Sequence, residues 1–209
     1  MQALLAFAAA LVSLRLAGAL RARGQVAWAG ALLAYAVASA ATAWGTAHGW
    51  DGTAFRVYYV AGGLLTAPLL GVGSLRLVGR SWAGPLGLAW TGLAIGISAA
   101  MPLHGRFAGG VPAAQAHLDW LPRAVAIAGN SLGTIAVVVV AVATIRRRPL
   151  GNSLILAGVS VAAIGSAFAG LGVSAASGFA LAAVVLLYLG VVEPRSRLVA
   201  ERLLRARTH

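Results

Sequence analysis

The chain contains no cysteine and no lysine, and only four of its 209 residues are acidic. Without cysteine there is no thiol catalysis, no disulfide, no iron–sulfur ligation and no covalently attached haem, and the redox compartment stays open. Without lysine there is no retinal Schiff base, no pyridoxal phosphate aldimine and no lysine nucleophile. A rhodopsin reading of a seven-helix chain therefore fails on chemistry. His, Asp and Glu are the strong metal ligands that remain. Charge is scarce as well, at 10% of residues against about a quarter in an average soluble protein. That is too little to cover a globular surface.

What the chain has instead is apolar length. Hydrophobic residues make up 60%, glycine contributes 27 residues, and the mean hydropathy is +0.89. Several runs reach the roughly 20 residues that a helix needs to cross the hydrocarbon core, so the fold class is all-α, an integral membrane bundle. Sixteen basic side chains, all Arg, together with abundant Ala and Gly, suit a high-GC genome and a bacterial cytoplasmic membrane. The net charge of +12 sits between the apolar runs instead of on one soluble face, so no nucleic-acid partner is expected.

Arg, Pro and Gly boundaries delimit seven predicted spans: Gln2–Leu20, Gln25–Ala47, Thr53–Leu77, Trp82–Met101, Leu121–Ile145, Gly151–Leu171 and Ser177–Val192. Met1–Leu20 has the length of a signal peptide but no basic residues ahead of it, and Arg21 and Arg23 follow it. It is expected to stay as a first span with its N-terminus outside. Twelve arginines then fall on the cytoplasmic side (21, 23, 76, 80, 146–148, 195, 197, 202, 205 and 207) against Arg56, Arg106 and Arg123 outside, as the positive-inside rule requires. Residues 1–193 form the transmembrane domain, and residues 194–209 form a basic amphipathic cytoplasmic tail. In that tail Val199, Ala200, Leu203 and Ala206 share one face while Arg197, Glu201 and Arg205 share another, which predicts contact with anionic lipids of the cytoplasmic leaflet.

Small residues recur at four-residue spacing, as in Gly63, Ala67, Gly71; Gly92, Gly96, Ala100; Gly129, Gly133; and Gly158, Ala162, Ser166, Gly170. Such stripes let helix backbones approach closely in lipid, within one chain or in an oligomer or partner complex. Pro68 is expected to kink the third span. Trp44, Trp50, Trp82 and Trp120 lie near span ends, where indoles anchor to the interface.

Two polar faces stand out. In the third span Arg56, Tyr59, Gly63 and Thr66 fall on one stripe, and in the fifth Arg123, Asn130 and Thr134 do the same. Intramembrane polar groups normally point into the bundle, so these residues are pocket candidates for an anionic ligand. The competing reading has the arginines reaching outer phosphate headgroups and Asn130 bonding to a neighbouring backbone carbonyl. A second constellation collects in the outer segments: His48, His104, His117, Asp51 and Asp119. These could hold a divalent metal with an open position for water, although no HExxH frame is present.

Three functions follow. The favoured one is a transporter, channel or ligand-binding membrane protein with an outward-facing polar pocket. The alternatives are an outer-leaflet metal-dependent enzyme and an accessory or sensory subunit of a membrane complex.

Overall fold

The computed structural model describes residues 1–107, 109–170 and 177–191, and among these there is no strand. Its apolar helices are α1 (Gln2–Ala22), α2 (Val26–His48), α3 (Gly52–Leu77), α4 (Ala83–Ala100), α5 (Trp120–Ala143), α6 (Pro149–Gly170) and α7 (Ser177–Val191). Six of them, α1 to α6, are long and apolar enough to cross a membrane, and α7 is a shorter apolar helix. The basic tail of residues 194–209 and the segment between α6 and α7 lie outside the described residues.

The helix ends follow from local chemistry. Gly24 and Gly79 adopt φ of 74° and 83°, the left-handed region that glycine enters without a Cβ penalty. Each closes its helix with a pair of backbone bonds, Gly24 N to Arg21 O with Gln25 N to Leu20 O, and Gly79 N to Arg76 O with Arg80 N to Leu75 O. This paired pattern satisfies carbonyls that would otherwise be orphaned at the helix end. At the start of α3 the Asp51 carboxylate accepts from Ala54 N at 2.7 Å, an N-terminal cap.

Exposed apolar side chains run in stripes at helical spacing. Leu4, Phe7, Leu11 and Leu14 mark one on α1, and Leu132, Ile135, Val139 and Val142 mark another on α5. In water such patches would be a liability, whereas a bilayer covers them. This surface is consistent with a multi-pass membrane protein.

Inside, one core cluster joins Leu16 and Leu20 of α1, Trp28 and Leu32 of α2, Leu70 of α3, Val137 of α5, Val159 of α6 and Val184 and Leu187 of α7. The closest backbone approaches occur where the small residues sit. A Cβ on Gly71 would lie 2.7 Å from Gly133 Cα, and one on Gly190 would lie 2.8 Å from Gly151 O. Thus α3 meets α5, and α6 meets α7, through glycine. Gly92 and Gly96 have nothing within 4 Å of an added Cβ, so the small stripe of α4 packs on no helix among the described residues. Trp50 also departs from the expected interfacial role. It is buried, and a Cβ on Gly45 would fall 2.5 Å from its ring, so the missing side chain at Gly45 makes the seat that draws the indole inward.

Within α3 the segment Tyr59–Thr66 is wound as a π-helix. Pro68 lies two residues beyond it. A proline has no N–H, so the carbonyl four residues back, Leu64, loses its helical donor, and Gly63 loses it where the winding widens to five. Side chains replace both donors: Trp90 Nε1 donates to Leu64 O at 2.7 Å and Asn130 Nδ2 donates to Gly63 O at 3.0 Å. Thr66 Oγ1 donates back to Ala61 O at 2.8 Å, five residues away, in step with the wider turn. The kink expected at Pro68 thus takes the form of a π segment tied to α4 and α5.

Candidate functional site

The widened turn of α3 forms one wall of a cavity of about 770 Å³, within the range of about 300–1,000 Å³ typical of small-molecule sites. Tyr58, Tyr59, Gly62, Gly63 and Thr66 line it from α3. Arg123, Asn130, Ser131, Thr134 and Val137 line it from α5, and Tyr35, Ser39 and Thr42 from α2. Val111, Pro112, Ala114 and Gln115, from the connection between α4 and α5, border it as well. From Arg123 to Val137 the wall of α5 is about 21 Å long at about 1.5 Å per residue.

The six pocket candidates divide. Tyr59, Thr66, Arg123, Asn130 and Thr134 all line this cavity, whereas Arg56 is not among its lining residues. Arg56 turns to α4, where Nη1 donates to Ser98 O. Three of the lining candidates spend a polar atom on backbone. Tyr59 OH donates to Pro122 O at 3.2 Å, Thr66 donates within α3, and Asn130 donates from α5 to an α3 carbonyl, as described above. Asn130 therefore makes the carbonyl contact of the competing reading while it faces the cavity.

Arg123 is different. The described carboxylates are Asp51 and Asp119. Asp51 caps α3, and Asp119, four residues before Arg123, turns to His104 Nε2 at 3.1 Å. Arg123 is half-buried and lines the cavity together with Tyr59, but it has no carboxylate partner among the described residues. Burying a cation without a counter-charge is costly, so the site favours an anion.

Two lining groups without internal partners went unsingled in the sequence reading of the pocket. The Ser177 hydroxyl is buried and bonds to nothing among the described residues. Tyr58 packs edge-on against Trp50, and no hydrogen bond of its hydroxyl is found among the described residues. A third missed residue, Tyr35, reaches across to donate to Ala180 O at 3.0 Å. A polar side chain in the middle of an apolar span was the available signal for Tyr35; Ser177 and Tyr58, near the ends of their helices, carried no such mark.

The His and Asp residues read as metal candidates have packing and hydrogen-bond partners of their own. His117 is buried, its ring stacked on Phe107 with centroids 4.4 Å apart and edge-on to Phe55. His117 Nδ1 lies 2.8 Å from His104 O, and His104 N donates to His117 O at 3.0 Å. His48 stacks on Trp44 at the exposed end of α2. Among the described residues no three His, Asp or Glu side chains come together as metal ligands. The chain matches no protein-family model, no curated protein sequence and no solved structure.

Proposed function

We propose that this is a seven-span membrane protein, with its N-terminus outside and its C-terminus cytoplasmic, that takes a small ligand into the cavity between α3 and α5 from the outer face. The activity is that of a transporter or ligand-binding membrane protein. One observation carries the reading: a cavity of ligand size, bordered by the connection between α4 and α5, has in its wall Arg123, which has no carboxylate partner among the described residues. Pre-formed concave sites with a few convergent polar groups are the usual place for small-molecule recognition, and intramembrane cations usually mark ligand paths. The histidines of the outer segments support an enzyme less well, since His117 and His48 are held by stacking and backbone contacts and His104 by its exposed pair with Asp119.

The absence of natural cysteine makes a direct test available. Single cysteines at Thr134 and Leu132 are exposed to a charged, membrane-impermeant thiol reagent applied from outside. Thr134 lines the cavity and Leu132 is 66% exposed on the apolar stripe of α5. Labelling of Thr134→Cys and protection of Leu132→Cys is the expected result. Protection of both positions would overturn the outward-facing pocket.

A further inference from the structure

Resting on that cavity, we propose that its ligand is a single-chain anionic lipid, with its head group on Arg123 and its tail lying inward along α5. The charge of the head follows from the wall itself, which contains Arg123 and no acidic residue among the described lining residues. A guanidinium pairs most strongly with a carboxylate or phosphate, through charge-assisted and often bidentate hydrogen bonds. A cationic head would meet repulsion here, and a neutral one would leave the charge uncompensated.

The tail follows from what lies beneath. Passing inward along α5 from Arg123, the wall presents Asn130, then Thr134, then Val137. Leu32, Leu70, Val159 and Leu187 close the inner end, and none of these is polar. A small hydrophilic anion would fill the outer part and leave this apolar end wet, whereas a chain of methylenes buries it at about 25 cal/mol per Å². The distance of about 21 Å from Arg123 to Val137 suits an extended long-chain tail, not a compact solute.

The source of the ligand follows from where the wall is open. Ile127, Ser131 and Ile135 line the cavity at successive steps of four on α5, yet Ile127 is 65% and Ile135 is 58% exposed. Across from them Ala163 and Ser166 of α6 are both lining and exposed. The cavity is therefore open along the seam between α5 and α6, at the depth of the hydrocarbon. A lipid of the outer leaflet can slide its tail in sideways there while its head group enters at the outer face.

The test measures binding of four C18 probes and one short acid to the full-length protein in discs of neutral phosphatidylcholine. The probes are oleate, oleyl phosphate, oleyl alcohol and oleylamine, with butyrate as the short acid. One equivalent of oleate or oleyl phosphate should bind at least tenfold more tightly than the alcohol or the amine, and the tighter of the two anions identifies the head group. Arg123→Gln should abolish that preference, weakening the anion by tenfold or more, and Arg123→Lys should keep most of it. Should Arg123→Gln fail to fold, Ala162→Phe decides the matter. It fills the cavity at mid-depth and should shorten the longest acyl chain accepted, which a purely structural role for Ala162 would not do. Butyrate binding as tightly as oleate, an unchanged anion preference in Arg123→Gln, or an unchanged chain-length limit in Ala162→Phe would each overturn the lipid assignment. Thiol labelling of Thr134→Cys is read separately, so the lipid assignment can fail while the pocket stands.

Discussion

Asn130 Nδ2 donates to the Gly63 carbonyl across the α3–α5 contact, at 3.0 Å. The acceptor is one of the carbonyls that Pro68 deprives of a donor when the helix is wound to five residues per bond, and its neighbour Leu64 is served by Trp90. A backbone group left bare in lipid costs several kcal/mol. The proline, the π segment and the two donors on neighbouring helices therefore form one unit. It is also the unit that walls the cavity, because Gly62, Gly63 and Thr66 lie in the widened turn. Insertions of π-helix into α-helix recur at functional sites, and here the wider turn presents backbone and small residues to the cavity.

Coupling between Asn130 and Pro68 is the first expected outcome. Asn130→Ala should destabilise the protein by about 1 kcal/mol, the scale of interhelical side-chain hydrogen bonds in membranes. In a Pro68→Ala background an N–H returns to the α3 ladder, so the same change should cost less than about 0.5 kcal/mol. Reversible unfolding in mixed detergent across the double-mutant cycle measures the difference. Equal costs in both backgrounds would mean that Asn130 does not stand in for the missing donor.

Glycines of similar sequence context should respond in opposite ways. A Cβ on Gly71 would meet the Gly133 backbone at 2.7 Å, whereas one on Gly92 or Gly96 meets nothing. Gly71→Ala should therefore destabilise by at least about 2 kcal/mol through overpacking, and Gly92→Ala and Gly96→Ala should stay within about 0.5 kcal/mol of the parent. Thermal melts in detergent decide this, and a destabilised Gly92→Ala protein would reveal a packing partner for α4.

The spans were legible because charge and glycine mark their ends. Gln25–Ala47 was expected where Val26–His48 is found, and Trp82–Met101 where Ala83–Ala100 is found. Partnerships were less legible. The stripe Arg56, Tyr59, Gly63 and Thr66 assumed 3.6 residues per turn, but the π winding from Tyr59 onward adds backbone per turn and changes the register. That shift falls on Gly63 and Thr66, whereas Arg56, ahead of the π segment, turns to α4 while Tyr59 turns to α5. Trp50 looked interfacial because a sequence does not display the hole that Gly45 leaves. The cavity depends on which helices are neighbours, a property of the whole chain that no local pattern encodes.

Orientation gives a prediction of its own. With arginine concentrated on one side of the spans, a reporter fused after His209 should be cytoplasmic and one inserted beside Gly110 should be extracytoplasmic. Reporters found on the same side would require an odd span to be removed or added.

His117 and His48 should separate by packing. His117 is 7% exposed, stacks on Phe107 and sits edge-on to Phe55, and has Nδ1 2.8 Å from His104 O. Replacing it with alanine removes the ring contacts, each worth roughly 0.5–1.5 kcal/mol beyond burial, together with one hydrogen bond worth about 1 kcal/mol. His117→Ala should therefore cost about 2–4 kcal/mol and loosen the connection between α4 and α5 that borders the cavity. His117→Phe keeps the stack and should recover much of that loss. Among the described residues the exposed His48 has only its stack on Trp44 and one long contact to the Trp44 carbonyl, so His48→Ala should change stability by less than about 0.5 kcal/mol. Asp119→Asn removes the partner of His104 in an exposed ion pair and should cost no more than about 1 kcal/mol. Unfolding measurements on the four variants, made with and without a chelator, test the whole set. A His48→Ala loss as large as that of His117→Ala, or a chelator effect equal to either, would replace the packing account with a shared metal.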